Sequence, residues 1–404
     1  MKKLIFIIFL TAVSHFTFAQ SKLHTGIWHA AIKTQSGKEI PFTFSVTAVA
    51  GKKQLAVING SERFKVTDVK TKGDSVLIHM PLFDADLKGK FEDNILKGQW
   101  IKHLPNREAT ADFYAVSGNY RFFKSPSISA YNVNGRWSAI FASGDTTVAE
   151  FKQVGTKVTG TFLTTTGDYR FLEGVVNKDS LYLSTFDGTH AYLFTAKVNS
   201  NNTLTDGKQY AGYAGTDKWT AVKNANAKLP DAYSLTYLKP GYKKVAFTFT
   251  DLDGKKVSLS DDRFKNKVVI LQIMGSWCPN CMDETAYMVG FYKKYHPKGV
   301  EVVGLAYERS TDFNRSKKSI EQLKKRFGVT YPLLVTGYTN DKKELTKSLP
   351  MLGNFLGFPT TIIIDKKGDV RKIHTGFSGP GTGVYYTEFT KEFEKLNDDL
   401  LAEK

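Results

Sequence analysis

Cys278 and Cys281 are the only cysteines in the 404-residue chain, and they stand three positions apart. At that spacing, at the start of a helical pattern, both sulfurs fall on one face and can close a small disulfide ring or open into a dithiol. The run Val268-Val-Ile-Leu-Gln-Ile273 before them is apolar and β-branched, as a strand buried on both faces requires. Gly275 and Ser276 break that run, and Trp277-Cys278-Pro279-Asn280-Cys281 follows. Residues 282–295 then read as a helix with apolar positions at Met282, Ala286, Val289 and Phe291. The order is strand, tight turn, Cys-x-x-Cys, helix. Free N–H groups and the positive dipole end at a helix N-terminus stabilise a thiolate. Cys278, nearer that end, is therefore the expected nucleophile, and Cys281 the thiol that resolves a mixed disulfide. Pro279 suits the first helical turn, where a missing N–H costs nothing. Zinc would need four ligands, and the chain offers two cysteines with eight scattered histidines. No metal or other cofactor is expected beyond the disulfide itself. A purely structural staple is a poor reading too, since a bridge within one helical turn constrains almost no chain.

Trp277 followed by Cys-Pro-Asn-Cys and then Glu284 resembles the thioredoxin-fold thiol-disulfide oxidoreductases of the periplasmic TlpA/ResA type. Two downstream motifs carry the same resemblance. Gly357-Phe358-Pro359-Thr360-Thr361-Ile-Ile-Ile-Asp365 is similar to that family's cis-proline loop and the strand after it, and Lys366-Lys367-Gly368-Asp369-Val370 to its hairpin. The resemblance covers roughly residues 240–404. It implies a catalytic set of Cys278, Cys281, Glu284 and Pro359, with substrate contacts from Trp277, Pro279, Phe358 and Thr360. In that picture Trp277 shields the pair. Pro359, in cis, faces the sulfurs without an N–H to compete for the thiolate, and Phe358 offers its backbone to an extended substrate. One position departs from thioredoxin itself: Gln272 stands where a buried acid is expected, six residues before Cys278. Glu284 remains for proton handling. It lies three residues beyond Cys281, on the same helix face, and leans back toward the sulfurs.

The implied activity is exchange of the Cys-Pro-Asn-Cys dithiol with protein disulfide substrates, as a reductant fed by a membrane thiol-donor redox protein. The alternative is an envelope protein that binds a ligand or partner through its N-terminal half, with the redox domain accessory. Peroxiredoxin-type peroxidase chemistry needs a Pro-x-x-x-Thr-x-x-Cys loop, and residues 272–277 hold neither Pro nor Thr.

Lys2 and Lys3 precede a short apolar run, and Thr17-Phe18-Ala19 offers small residues where a signal peptidase reads. A signal peptide over residues 1–19, cleaved before Gln20, predicts export to a periplasm. The run is well short of the ~20 residues a membrane span needs, and no later segment could span one. An exported chain that needed disulfide staples would carry more cysteines. The formal charge is +17. Its lysines are spread along the chain and alternate with apolar residues, a pattern of solvated strand faces rather than a nucleic-acid footprint. Lys317, Lys318, Lys324, Lys325 and Arg326 share one amphipathic helix whose buried side is Ile320, Leu323 and Phe327.

The expected organisation is multidomain: a β-domain repeat over 20–118, a second over 119–222, a linker over 223–240, and an α/β thioredoxin-like domain over 241–404. The first half shows no convincing helix, only short alternating strands and turn signals. It also repeats itself. Gly26-Ile-Trp28 recurs as Gly135-Arg-Trp137, Gly60-Ser-Glu-Arg-Phe64 as Gly167-Asp-Tyr-Arg-Phe171, Asp74-Ser75 as Asp179-Ser180 and Lys97-Gly98 as Asp206-Gly207, at offsets of 105 to 109 residues. About eight strands per copy would close a small barrel or fold as a sandwich. Trp28 and Trp137 should plug equivalent cores, and residues 21–222 should fold without the redox domain. Beyond the linker, the pattern predicts a hairpin around Asp253-Gly254 and strands at 300–307, 360–364 and 370–375. Helices are expected at 312–327, at 340–355 with a break at Pro350, and at 386–401.

Overall fold

The computed structural model describes residues 23–118, 131–144 and 146–403. The expected signal peptide lies outside them, as do residues 119–130 of the second repeat. Both repeats are barrels of antiparallel strands. In the first, nine strands run up and down from Gly26–Lys33 to Glu108–Ser117, and the last pairs with the first. The ladder is interrupted only between Glu62–Val66 and Asp68–Lys72. In the second, Gly135–Phe141 pairs with Gly215–Lys223 and Thr146–Val154 with Lys157–Thr164, so eight strands close completely. A ninth, Gly167–Asp168, folds back on Lys157–Thr164 as a short hairpin. Eight strands leave an interior that side chains just fill.

The duplication is visible in atomic detail. The Trp28 indole donates to the His24 carbonyl at 3.1 Å and the Trp137 indole to the Val133 carbonyl at 2.9 Å, each four residues back and each fully buried.

The main sheet of the C-terminal domain has seven strands, β1 Thr248–Asp251, β2 Lys256–Ser258, β3 Val268–Met274, β4 Val300–Glu308, β5 Leu333–Thr339, β6 Thr360–Ile364 and β7 Val370–Thr375. Its helices are α1 Pro279–Tyr295, α2 Phe313–Phe327, α3 Lys342–Ser348 and α4 Val384–Ala402. The sheet order is β2-β1-β5-β4-β3-β6-β7, with β3, β4 and β5 parallel and the rest antiparallel. Every residue of β3 and β4 is buried, as their continuous apolar runs require. Asp312 caps α2 by accepting from the Arg315 amide at 2.7 Å, and Gly328, at φ 66°, ends it.

Several boundaries differ from the sequence expectations. α1 begins at Pro279, and its core face is Cys281, Met282, Glu284, Thr285, Met288, Phe291 and Tyr295, while Ala286 is exposed. Of 340–355 only α3 is helical. Pro350 ends any continuation, and Leu352–Gly353 instead pairs with Tyr237–Leu238. The stretch 223–240 thus passes from the second barrel, where Ala227 packs with Val148 and Leu163, to the C-terminal domain, where Thr236 is buried. Central strand β5 was not anticipated. Its apolar run, Leu333-Leu-Val335, is short and gives way to Thr-Gly-Tyr-Thr. One continuous cluster of buried apolar residues runs from the first barrel into the C-terminal domain and takes in Phe186, Ala191, Leu193 and Tyr210 of the second barrel, whose interior otherwise forms a cluster of its own. Among the described residues no helix is long and apolar enough to cross a membrane.

Candidate active site

The two cysteines are disulfide-bonded at the N-terminus of α1, with their Cα atoms 5.2 Å apart. Cys278 is the N-cap residue: its backbone is extended, and its sulfur accepts from the Cys281 amide at 3.2 Å. Pro279 occupies the first helical turn. The turn from β3 is fixed by Glu308 at the end of β4, whose carboxylate accepts from the Ser276 amide at 2.8 Å and the Ser276 hydroxyl at 2.7 Å. Trp277 donates its indole N–H to the Tyr307 carbonyl at 2.9 Å and stands edge-on to Phe358, ring centroids 5.4 Å apart. Opposite the sulfurs, the Phe358–Pro359 peptide is cis, and the Phe358 carbonyl oxygen lies 3.7 Å from Cys278 Sγ. That loop is held from behind. Thr360 is buried and donates its hydroxyl to the Gly357 carbonyl at 2.8 Å, and the Pro359 carbonyl accepts from the Gly376 amide at 2.8 Å. The structure thus brings together Trp277, Cys278, Pro279, Cys281, Phe358, Pro359 and Thr360, which are spread over more than 80 positions. Thr360 faces inward and supports the loop rather than reaching the open side of the sulfurs.

The family model for Redoxin matches residues 225–388. The C-terminal domain is a Redoxin domain, thioredoxin-like in build. Among characterised relatives, the thiol-disulfide oxidoreductase ResA of Geobacillus kaustophilus is 34% identical over 130 residues, 32% of this chain and 66% of that protein. ResA of Bacillus subtilis is 32% identical over 130 residues, 32% of this chain and 64% of that protein. The chain therefore spans slightly less than two thirds of these relatives' own length. A crystal structure of a thioredoxin family thiol:disulfide interchange protein from Chlorobium tepidum is 23% identical, covering 40% of this chain and 96% of that one at a TM-score of 0.30. The Redoxin match stops short of both barrels.

Inside the Redoxin domain, Glu284 is fully buried on α1, one turn past Cys281. Thr361 donates its hydroxyl to Glu284 Oε1 at 2.5 Å, and Gln272 donates its amide to Oε2 at 2.9 Å. Gln272 in turn accepts from the Tyr331 hydroxyl at 3.2 Å and also donates to Thr285 at 3.1 Å. The residue at the thioredoxin acid position thus ties Glu284 to β3 and to Tyr331, just before β5, instead of titrating itself. Burial disfavours the carboxylate and pushes the Glu284 pKa up to about 7, against a smaller downward pull from the Thr361 and Gln272 hydrogen bonds. Burial likewise raises Glu308, opposed by its two bonds from Ser276.

Sequence reasoning missed the residues that arrive from the barrels. Arg170 pairs with Glu62 of the first barrel and, at 2.5 Å, with Asp283 on α1, and donates to the Pro279 carbonyl at 3.4 Å. Asp168 accepts from the Gly379 amide at 2.7 Å. The charge pairs hold the three folded units together beside the redox helix, with the three side chains only 10–14% exposed. A signal existed in the repeat itself. The matched segments Gly60–Phe64 and Gly167–Phe171 supply both Glu62 and Arg170, but nothing in either segment reveals that they meet each other across α1.

Proposed function

We propose that the protein is an exported thiol-disulfide oxidoreductase that cycles Cys278 and Cys281 between dithiol and disulfide, acting as a reductant. The observation that carries this reading is the placement of Cys278 at the cap of α1, 3.7 Å from the carbonyl before the cis proline, on a Redoxin domain. In the reduced form the Cys278 thiolate attacks a substrate disulfide, forming a mixed disulfide and releasing one substrate thiol. Cys281 then attacks Cys278 Sγ, the second substrate thiol leaves, and two electrons have passed to the substrate. Backbone N–H groups at the start of α1 stabilise the thiolate, and Pro359 presents no N–H against it. Glu284 exchanges protons with the buried thiol pair, since its carboxyl is held close to neutrality. A membrane thiol-donor protein returns the electrons, and the signal sequence read at residues 1–19 supports a periplasmic setting for both steps.

Equilibrating the full chain in dithiothreitol buffers of graded oxidation, with alkylation of the free thiols, tests the assignment. The expected result is a reversible two-electron transition confined to Cys278 and Cys281. A pair that stays oxidised in excess dithiothreitol, or a Cys278→Ser chain that still turns over a peptide disulfide, would remove the reading.

A further inference from the structure

The substrate side of the disulfide is covered by the second barrel. The strand Lys157–Thr164 turns through Thr165 and Thr166 into Gly167–Asp168, and this hairpin lies across the Cys-Pro-Asn-Cys loop and the cis-proline loop. The fit is tight. A Cβ on Gly357 would come within 3.0 Å of Thr166 Cγ2, one on Gly376 within 2.8 Å of the Thr165 carbonyl, and one on Gly167 within 2.0 Å of Asn280 Nδ2. Cys278 is left only 4% exposed.

Beside the hairpin, between the second barrel and α1, lies a cleft of about 410 Å³. Pro279, Asn280 and Leu356 line it from the Redoxin domain, and Tyr169, Arg170 and Tyr192 from the barrel. Its size is in the usual range for small-ligand pockets, so it can take an extended segment but not the surface of a folded protein. Two polar atoms of its lining residues are buried without a partner: Asn280 Oδ1, an acceptor, and Arg170 Nε, a donor. A peptide group offers the complementary N–H and C=O. Tyr169 and Tyr192 meet edge to face at 5.2 Å and supply an apolar wall.

We propose that this cleft is a substrate subsite for a short or unstructured peptide bearing a cysteine disulfide, and that the hairpin keeps folded proteins from the sulfurs. The proposal rests on the redox reading above and deepens it. A peptide lying in the cleft, whose wall includes Pro279 and Asn280, has its disulfide beside the Cys278–Cys281 turn. The peptide S–S bond breaks as the Cys278 mixed disulfide forms, and the departing sulfur takes a proton from water. Attack by Cys281 then releases the second sulfur as a thiol, and dithiothreitol restores the enzyme dithiol.

The test uses the full chain with two probes: glutathione disulfide, and serum albumin carrying glutathione on its free thiol. Each rate is divided by the rate of dithiothreitol alone on the same probe. The normalised rate for glutathione disulfide should exceed that for the albumin adduct by about ten-fold or more, and Thr166→Trp, which puts an indole in the wall of the cleft, should lower it by about ten-fold. Calorimetry keeps the proposal testable if that variant misfolds. The Cys278→Ser/Cys281→Ser chain should bind glutathione disulfide saturably, and Tyr192→Ala should weaken that binding by a similar factor. Equal normalised rates, or no saturable heat, would overturn the subsite while the dithiothreitol equilibrium still stood. Loss of that equilibrium would instead overturn the redox reading, and the subsite with it.

Discussion

Glu284 is a carboxyl surrounded by hydrogen-bond donors but sealed from water, and its chemistry follows from that conflict. Its ordinary value of 4.5 rises to about 7 in the folded protein, burial being the larger effect. The native state therefore holds this proton more tightly than the unfolded chain does. The resulting stabilisation is complete below the unfolded value and is lost as pH rises through the folded one, between about 4.5 and 7. Across that window the wild type should lose on the order of 3 kcal/mol more stability than Glu284→Gln, measured by denaturant unfolding of the oxidised proteins at pH 4.5 and pH 8. Parallel losses in the two proteins would show that Glu284 does not titrate in this interval. In the reduced protein the ionised carboxylate opposes a nearby thiolate, so thiols and carboxyl titrate as one set. Glu284→Gln should flatten the dependence of Cys278 alkylation on pH between 6 and 8, and an unchanged profile would leave Glu284 with a packing role only.

The hairpin at residues 164–168 and its fastening through Arg170 act at the scale of elements. Removing one member of a buried ion pair leaves its partners uncompensated, at a cost of about 3–5 kcal/mol. Arg170→Met should loosen the hairpin before it unfolds the Redoxin domain, because the Asp168–Gly379 hydrogen bond and the packing of Thr165 and Thr166 remain. The expected sign is faster amide exchange over 164–170, together with Cys278 alkylated about ten-fold faster in the reduced protein. Exchange confined to its wild-type rate would mean that the hairpin is held by packing alone. Elements of this kind mark the boundary of what a sequence discloses. β3, the Cys-x-x-Cys turn and β6 were readable because a run of β-branched residues buried on both faces has few alternatives. The first turn of α1 was marked by Pro279, although its apolar periodicity shows only from Met282 because Pro279 and Cys281 carry no periodic signal of their own. β5 escaped because only Leu333, Leu334 and Val335 are continuously apolar. The helix expected to 355 ends at Ser348 because Pro350 and Gly353 favour the short pairing with Tyr237–Leu238. Glu62 and Arg170 were visible as repeat positions, yet their meeting depends on how two barrels dock, which no local pattern encodes.

The whole molecule places a duplicated β unit against a redox domain, but the two copies are joined to it differently. The first barrel shares a continuous apolar core with the Redoxin domain, whereas the second joins that core only through Phe186, Ala191, Leu193 and Tyr210, keeps a separate interior, and adds the hairpin and charged contacts. That arrangement argues against residues 21–222 unfolding as one body apart from the rest. Hydrogen exchange in rising denaturant should show the first barrel opening together with the Redoxin domain. Trp137→Ala, a loss of roughly 3–5 kcal/mol from a filled barrel, should lower the second barrel's transition selectively. Joint opening of the two barrels ahead of the Redoxin domain would contradict the shared core. The central claim, that Cys278 is the nucleophile of a reversible dithiol pair, is tested most directly by brief iodoacetamide labelling of the reduced full chain, read by mass spectrometry at each cysteine. Cys278 should be alkylated first at neutral pH and faster than a free cysteine, with Cys281 following slowly. Alkylation of Cys281 first, or neither thiol outpacing free cysteine, would contradict it.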